Sequence, residues 1–387
     1  MSLPVPALIV AGEASGDHHA AALATCLSRQ HPVAWFGLGG DALQAAGAEL
    51  VEHARAVSIL GLVEVVAHLP RIYRIVQKLL REVDRRRPRL AVLVDLPGVN
   101  LELGLARQLH ARGIPVVYFI PPQIWAWRAG RLRSLQRYVR KVLCIFPFEE
   151  NIYHRAGMDV EYVGHPLVDC TAATMTQEEF FTQYHLDPRR PLVCLLPGSR
   201  NQEVVRHLPC MLAAAELLQK KHRAQFVLVR APTVNPKVLA SQLRPELDLR
   251  VMEGPVYNAL AASTAAVVSS GTATVEAALL ATPLVVVYRV ARMTWWLGRG
   301  LVRSPYYSMV NLLAGQPVVP ELIQHEFTAE GVAREVSHLL GDSDAREAMK
   351  RELHGVRRRL GEPGAIERAS RAILALLPRP TPAAALS

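Results

Sequence analysis

Six short segments of this chain combine glycine, hydroxyl, carboxylate, amide or guanidinium groups in patterns suited to chemistry on an anionic ligand. Gly12-Glu13-Ala14-Ser15-Gly16-Asp17 is a glycine-containing turn that opens a helical pattern. Backbone amides can approach a ligand closely at such a turn, and a helix N-terminus favours negative charge. It is neither GxGxxG nor a P-loop, and a tight turn with Asp17 as a helix cap would use the same residues. Asp95-Leu96-Pro97-Gly98-Val99-Asn100 places a carboxylate at the end of an apolar run, where Asp95 can take a proton from a hydroxyl nucleophile or cap the next helix. Pro197-Gly198-Ser199-Arg200 suits a diphosphate clamp, because a guanidinium makes charge-assisted contacts to phosphate. Arg200 in a surface ion pair is the alternative. Ser270-Gly271-Thr272 opens a second helix, with Glu276 one turn in; a phosphate can sit on the amides while Glu276 accepts from ribose hydroxyls, or Glu276 simply favours the helix dipole. Asn311, in Ser308-Met309-Val310-Asn311, can bond a ligand or start a helix. The sixth segment, 121–128 (PPQIWAWR), offers an aromatic wall with an arginine.

Five of the six follow apolar runs of strand length, and the Asn311 segment follows an aromatic, basic stretch. Strands are predicted at 6–11, 33–37, 90–95, 115–120, 142–146, 192–196, 225–230, 249–252, 266–269 and 284–288, with helices between them, among them 101–112, 202–221 and 272–281. Unalternating apolar strands separated by helices indicate parallel sheets covered on both faces. Two such series indicate two doubly wound α/β domains. The break falls in 170–190, which lacks strand signals and reads as a linker. The expected domains are 1–170 and 171–363, followed by a helix at 364–377. In open α/β sheets ligands bind beyond the carboxyl ends of the strands, which places the active site in a crevice between the two domains.

The 387 residues carry 44 basic and 34 acidic side chains, a net charge of +10, and half of them are hydrophobic. Such a chain can bury a large core and is not disordered. Its charge admits nucleic acid, an anionic membrane or a phosphorylated ligand as partner. No recognisable nucleic-acid module is present, and the missing GxGxxG disfavours a dehydrogenase. The five scattered cysteines suggest neither a metal site nor disulfides but a reducing cytoplasm, with Cys144 and Cys194 in the core. No signal peptide is evident at Met1–Ala11, and the most apolar stretch, 265–288, is broken by Ser269-Ser270-Gly271-Thr272, Glu276 and Pro283. Residues 71–89 hold eight basic side chains against two acidic ones, and 128–141 hold six against none. Val63, Val65, Val66, Leu69 and Ile72 precede or adjoin the first cluster and are expected on the lipid-facing side of an amphipathic segment. Residues 293–303, with Trp295 and Trp296, form a second candidate contact.

Taken in order, GEASGD, the D-x-P-x-x-N of 95–100, IWAWR at 124–128, PFE at 147–149, GHP at 164–166, LPGSR at 196–200, SGTAxxE at 270–276 and NLLAG at 311–315 resemble the lipid-A-disaccharide synthase family of glycosyltransferases. The resemblance implies a GT-B fold of two Rossmann-like domains, the first for the acceptor and the second for the donor. It implies transfer from UDP-2,3-diacylglucosamine to the 6-hydroxyl of 2,3-diacylglucosamine 1-phosphate, with inversion, giving a β-1,6 disaccharide phosphate and UDP. It makes Asp95 the general base. It makes Glu13, Ser15, Gly16, Arg200, Ser270, Gly271, Thr272, Glu276 and Asn311 substrate-binding residues. Many relatives carry a second Asp after the Pro of the strand-end motif; here that position is Gly98, which removes a rival base. No cofactor and no metal are expected, since helix dipole and arginine neutralise the diphosphate in this fold. The implied partners are the two lipid substrates and the cytoplasmic face of the inner membrane, with a homodimer as a further possibility and no nucleic acid. The closest rivals are other UDP-sugar enzymes of this fold, such as a UDP-N-acetylglucosamine 2-epimerase or the peptidoglycan transferase. A nonenzymatic lipid-binding protein would not explain Arg200 together with a Ser-Gly-Thr helix start.

Overall fold

In the computed structural model the described residues are 4–57, 64–122, 130–254, 256–291, 295–296 and 305–377, with backbone alone for residue 14 and for 64–68. They form two compact units. One holds the residues through Asp169 together with those from Leu360 onward; the other runs from Cys170 to Arg359.

The first unit is built on seven parallel strands: β1 (Val5–Ala11), β2 (Val33–Gly39), β3 (Glu49–His53), β4 (Leu90–Val94), β5 (Val116–Phe119), β6 (Lys141–Cys144) and β7 (Val160–Tyr162). Their order is β3-β2-β1-β4-β5-β6-β7. The second unit has six: β8 (Leu192–Leu196), β9 (Gln225–Arg230), β10 (Leu249–Glu253), β11 (Ala265–Ser269), β12 (Leu284–Tyr288) and β13 (Glu321–Ile323), in the order β10-β9-β8-β11-β12-β13, again all parallel. The central strands carry no polar alternation because helices cover both faces. Leu8, Ile9 and Val10 of β1 are fully buried, as are Val193 and Cys194 of β8. Cys144 is buried in β6 as expected. Three strands escaped sequence detection. β3 and β7 are short, half-polar edges, and β13 has only three residues.

In each sheet the chain leaves the middle in both directions, between β1 and β4 in the first and between β8 and β11 in the second. These are the switch points where loops diverge and leave room for a ligand.

The stretch 170–190 is not a linker. It contributes the helix Gln177–Gln183, whose Phe180 and Phe181 are buried. The Asn258 side chain holds it by accepting from the amides of Thr174 and Met175. The stretch lacks strand signals because it enters the second unit as helix and turn.

The last helix, Ala365–Leu374, packs on the first helix, Ala14–Gln30. The Asp169 carboxylate accepts from the amides of Gly364 and Ala365 at its start, and the Arg368 guanidinium donates to the Val163 carbonyl. Gln30 Nε2 donates to Ser370 Oγ at 3.2 Å.

The helix Glu64–Arg86 corrects one expectation. Ile72 is 4% exposed and joins Ile75, Val76, Leu79, Leu80 and Val83 on the stripe that faces the core. Its spacing from those residues is that of a buried helix face, so it does not face lipid. Leu69 and Tyr73 are exposed. Val63 and the side chains of Val65 and Val66 lie outside the described residues, as do residues 123–129 and most of 293–303. No described helix is long and apolar enough to cross a membrane.

Candidate active site

At the first switch point two loops lie face to face. β1 and β4 are in register to Ala11 and Val94, so the turn after each leaves from the same level. A Cβ on Gly12 would stand 2.4 Å from Leu96 Cδ1, which explains the glycine: the two turns pack too closely for a side chain. Gly16, in the first turn of the helix Ala14–Gln30, would likewise place a Cβ 3.7 Å from Asp95 Cβ. The sheet therefore gathers Glu13, Ser15, Gly16 and Asp95 at one end.

Asp95 has φ of +31° and Ile120, after β5, has φ of +57°. Left-handed backbone is tolerated by aspartate but costly for a β-branched residue. Strain of this kind persists where surrounding structure enforces it. Beneath the Asp95 turn, a π-helical turn Gly98–Glu102 carries Asn100, which is fully buried. Its Nδ2 donates to Tyr118 Oη at 3.3 Å. Burial pushes the Tyr118 hydroxyl up, and the nearby Asp95 charge adds to this. Asp17 does cap a helix, but not its own. Its carboxylate accepts from the amides of Gly40 (2.6 Å) and Ala42 (3.0 Å) and so anchors the loop after β2.

Two histidines unremarked in the sequence stand in the same unit. His19 and His165 (the latter from GHP) are buried, with ring centroids 6.4 Å apart. Burial lowers His19 to about 4, assisted by His18, and His165 to about 3, assisted by His19. Both are neutral at pH 7. GHP at 164–166 was the one sequence signal for His165, and His19, two residues beyond GEASGD, had none.

At the second switch point the two helix N-termini differ. Gly198 has φ of +127°, and a Cβ there would meet Glu203 Cβ at 2.7 Å. Glu203 turns back on the start of its own helix, Asn201–His222. Its Oε2 accepts from the amides of Ser199 (3.0 Å) and Arg200 (3.3 Å), and its Oε1 pairs with Arg200 Nη1 at 3.0 Å. The Arg200 side chain remains 48% exposed, so it still has surface to offer a ligand. The helix Thr272–Leu279 has no side-chain cap, and the space around its N-cap Gly271 is open. Ser270 Oγ donates instead to the Tyr307 carbonyl at 2.8 Å. Glu276 lies one turn in; burial raises its carboxyl, with the Tyr257 hydroxyl opposing that shift through a hydrogen bond.

His207 locks these strand ends together. Nε2 lies 3.0 Å from the Arg289 amide and 3.1 Å from the Arg289 carbonyl, and Nδ1 lies 2.8 Å from the Pro197 carbonyl and 3.2 Å from Ser269 Oγ. Sequence reading missed it because a histidine inside an apolar helix looks like core.

Asn311 stands apart from its expected role. Its Nδ2 donates to the Val319 carbonyl and Glu321 Oε1, and its Oδ1 accepts from the amides of Val318 and Val319, all at 2.8–2.9 Å. A primary amide has two donors and two acceptor positions, and the chain uses all four. Asn311 neither starts its helix, which Ser308 caps, nor has capacity left for a ligand. Among the described residues no cluster of three or more His, Cys, Asp or Glu side chains is placed to hold a metal.

Residues 7–375 match the family described as lipid-A-disaccharide synthetase. The chain is 45% identical over 380 residues to the lipid-A-disaccharide synthase of Koribacter versatilis (strain Ellin345), covering 96% of this chain and 98% of that one. Among solved structures it is similar to the calicheamicin glycosyltransferase CalG4 (TM-score 0.61, 16% identity, 98% and 100% of the two chains). It is also similar to the UDP-GlcNAc 2-epimerase of Neisseria meningitidis (TM-score 0.66, 13% identity, 96% and 100%). The two parallel sheets and these neighbours give the fold as GT-B. With the family matched over nearly the whole chain, the protein belongs to the lipid-A-disaccharide synthases, glycosyltransferases that form the disaccharide of lipid A.

Proposed function

We propose that this enzyme transfers 2,3-diacylglucosamine from its UDP donor to the 6-hydroxyl of 2,3-diacylglucosamine 1-phosphate, with inversion. Asp95 takes the proton of the 6-hydroxyl as its oxygen attacks the anomeric carbon. The bond from that carbon to the diphosphate breaks, and UDP leaves with the electron pair. Arg200 and the amides after Ser270 neutralise the charge that develops on the leaving group; Glu276 accepts from the ribose. Glu13, Ser15 and Gly16 line the acceptor side beside Asp95. The observation that carries this reading is the uncapped, open N-terminus of the helix Thr272–Leu279, a ready site for a diphosphate in a chain that also sets a carboxylate at the other sheet's switch point. Incubation with the UDP donor and the acylated acceptor tests it: UDP and a β-linked disaccharide phosphate should appear in equal amounts. An α-linkage, or product without UDP, would refute it.

The substrates' acyl chains require access to a lipid surface, and we place the enzyme peripherally on the cytoplasmic face of the inner membrane. Exposed Leu69 and Tyr73 lie on the helix that also exposes Arg71, Arg74 and Arg81, which form no ion pair among the described residues. Apolar and cationic groups on one helix suit an anionic bilayer. Leu69→Ser with Tyr73→Ser should weaken sedimentation with anionic vesicles and leave stability within about 0.5 kcal/mol. Ile72→Ser should unfold the first unit more readily, since that side chain is in the core.

A further inference from the structure

We infer that Glu321 is a positioning residue for the anion site of the second unit, and that Asn311 serves the reaction through Glu321 rather than by touching substrate. The inference deepens the donor reading given above and rests on it.

Glu321 opens the edge strand β13, and four donors converge on its carboxylate. The Tyr307 amide reaches Oε2 at 2.8 Å. The Ser308 amide (2.9 Å), Ser308 Oγ (2.7 Å) and Asn311 Nδ2 (2.8 Å) reach Oε1. A carboxylate offers about four acceptor positions, and these four donors meet it three at Oε1 and one at Oε2. Hydrogen bonds to an ionised acceptor are the stronger kind.

The decisive geometry is one peptide plane. The Tyr307 carbonyl and the Ser308 amide belong to the same rigid unit. Glu321 grips that unit by its N–H, and Ser270 Oγ grips it by its C=O at 2.8 Å. Ser270 is the residue immediately before Gly271 and Thr272, whose helix start is open. The carboxylate thus sets the plane that sets Ser270, and through Ser270 the direction of the amides that face the diphosphate. Polarisation runs the same way: accepting from the N–H makes the carbonyl a better acceptor for the serine. Asn311 completes the frame. With its two acceptor positions on the amides of Val318 and Val319 and one donor on Glu321, it joins the helix Met309–Ala314 to the strand that carries the carboxylate.

The test uses the full chain. Hydrogen exchange with and without UDP should show protection of 270–276 in the wild type; absence of that protection would refute the donor reading itself, and this inference with it. Glu321→Gln places an amide donor against the donors it must accept and should raise the UDP Kd and the donor KM about tenfold, with kcat within a few-fold. Ser270→Ala should raise them by about three- to tenfold. The double variant should be no worse than Glu321→Gln alone, because both act on one peptide plane. Glu321→Asp should restore part of the affinity. A merely structural Glu321 would lower the melting temperature but leave UDP affinity within twofold or give losses that multiply, and either result overturns the proposal. Should Glu321→Gln fail to fold, the same cycle is run with Glu321→Asp and Ser270→Ala.

Discussion

The two sheets share one strand order around one kind of switch point, yet the loops beyond them differ in electrical character. In the first unit the turns after β1 and β4, which carry the carboxylates Glu13 and Asp95, pack closely through Gly12 and Leu96. In the second, the turns after β8 and β11 present Arg200, hydroxyls and open helix amides, and the Glu203 carboxylate beside Arg200 is already engaged with its own helix start. The scaffold is therefore neutral as to chemistry. What it supplies is a place where two loops diverge, and in the function proposed above the residue types in those loops make one place a proton acceptor and the other an anion site.

The largest effect that could break this division is at Asp95. Asp95→Ala should cut kcat by about a thousandfold or more, within the range for a lost general base, while the UDP Kd measured by calorimetry stays unchanged. Weakened UDP binding in that variant would mean the two sites are not separate. Arg200→Ala should behave the other way, losing about a hundredfold in kcat/KM with a matching rise in UDP Kd. Intact UDP affinity there would assign Arg200 to its ion pair with Glu203 alone.

Acid should also separate the units. His19 and His165 have folded values of about 4 and about 3, below the ordinary histidine value of 6.5. The unfolded chain then binds more protons than the folded one. Their stabilising effect is full above about pH 6.5 and is lost as the pH falls toward 4 and 3, by a few kcal/mol in total as an order of magnitude. Denaturant melts should show the midpoint falling across that window, and exchange should show the first unit opening before the second. A flat profile would contradict the burial of the pair. The smallest effect is expected at Gly198, where alanine must adopt φ near +127° and crowd Glu203. Gly198→Ala should cost about 1–3 kcal/mol of local stability and raise the UDP Kd a few-fold. An unchanged melting temperature would contradict both the strain at that φ and the crowding of Glu203.

Much of this was legible in the chain. Strands β8, β9 and β12 match their apolar runs residue for residue, since a strand buried on both faces must be continuously apolar. The segments after β1, β4, β8 and β11 fell at strand ends for the same reason: glycine and small polar residues mark where the buried run stops. The failures have a common cause. Ile72 was assigned to lipid and Asn311 to ligand because a side chain's direction depends on what packs against it. On sequence alone a helix stripe facing a core and one facing a bilayer have the same spacing. The stretch 170–190 was lost because a polar helix with two buried phenylalanines reads as a linker.

The sequence by itself determined most element types, the two α/β series, the family resemblance and the positions after β1, β4, β8 and β11 proposed for the chemistry, because periodicity and local turn chemistry act within a few residues. Only the tertiary structure decided which of those residues have capacity left for a ligand. Glu203 closes one helix start and Ser270 leaves the other open. Asn311 is spent on the chain and Glu321 organises the segment around it. His207 ties three strand ends that lie far apart in sequence. Hydrogen-bond capacity is finite, and how it is spent depends on groups that meet only after the sheets have formed.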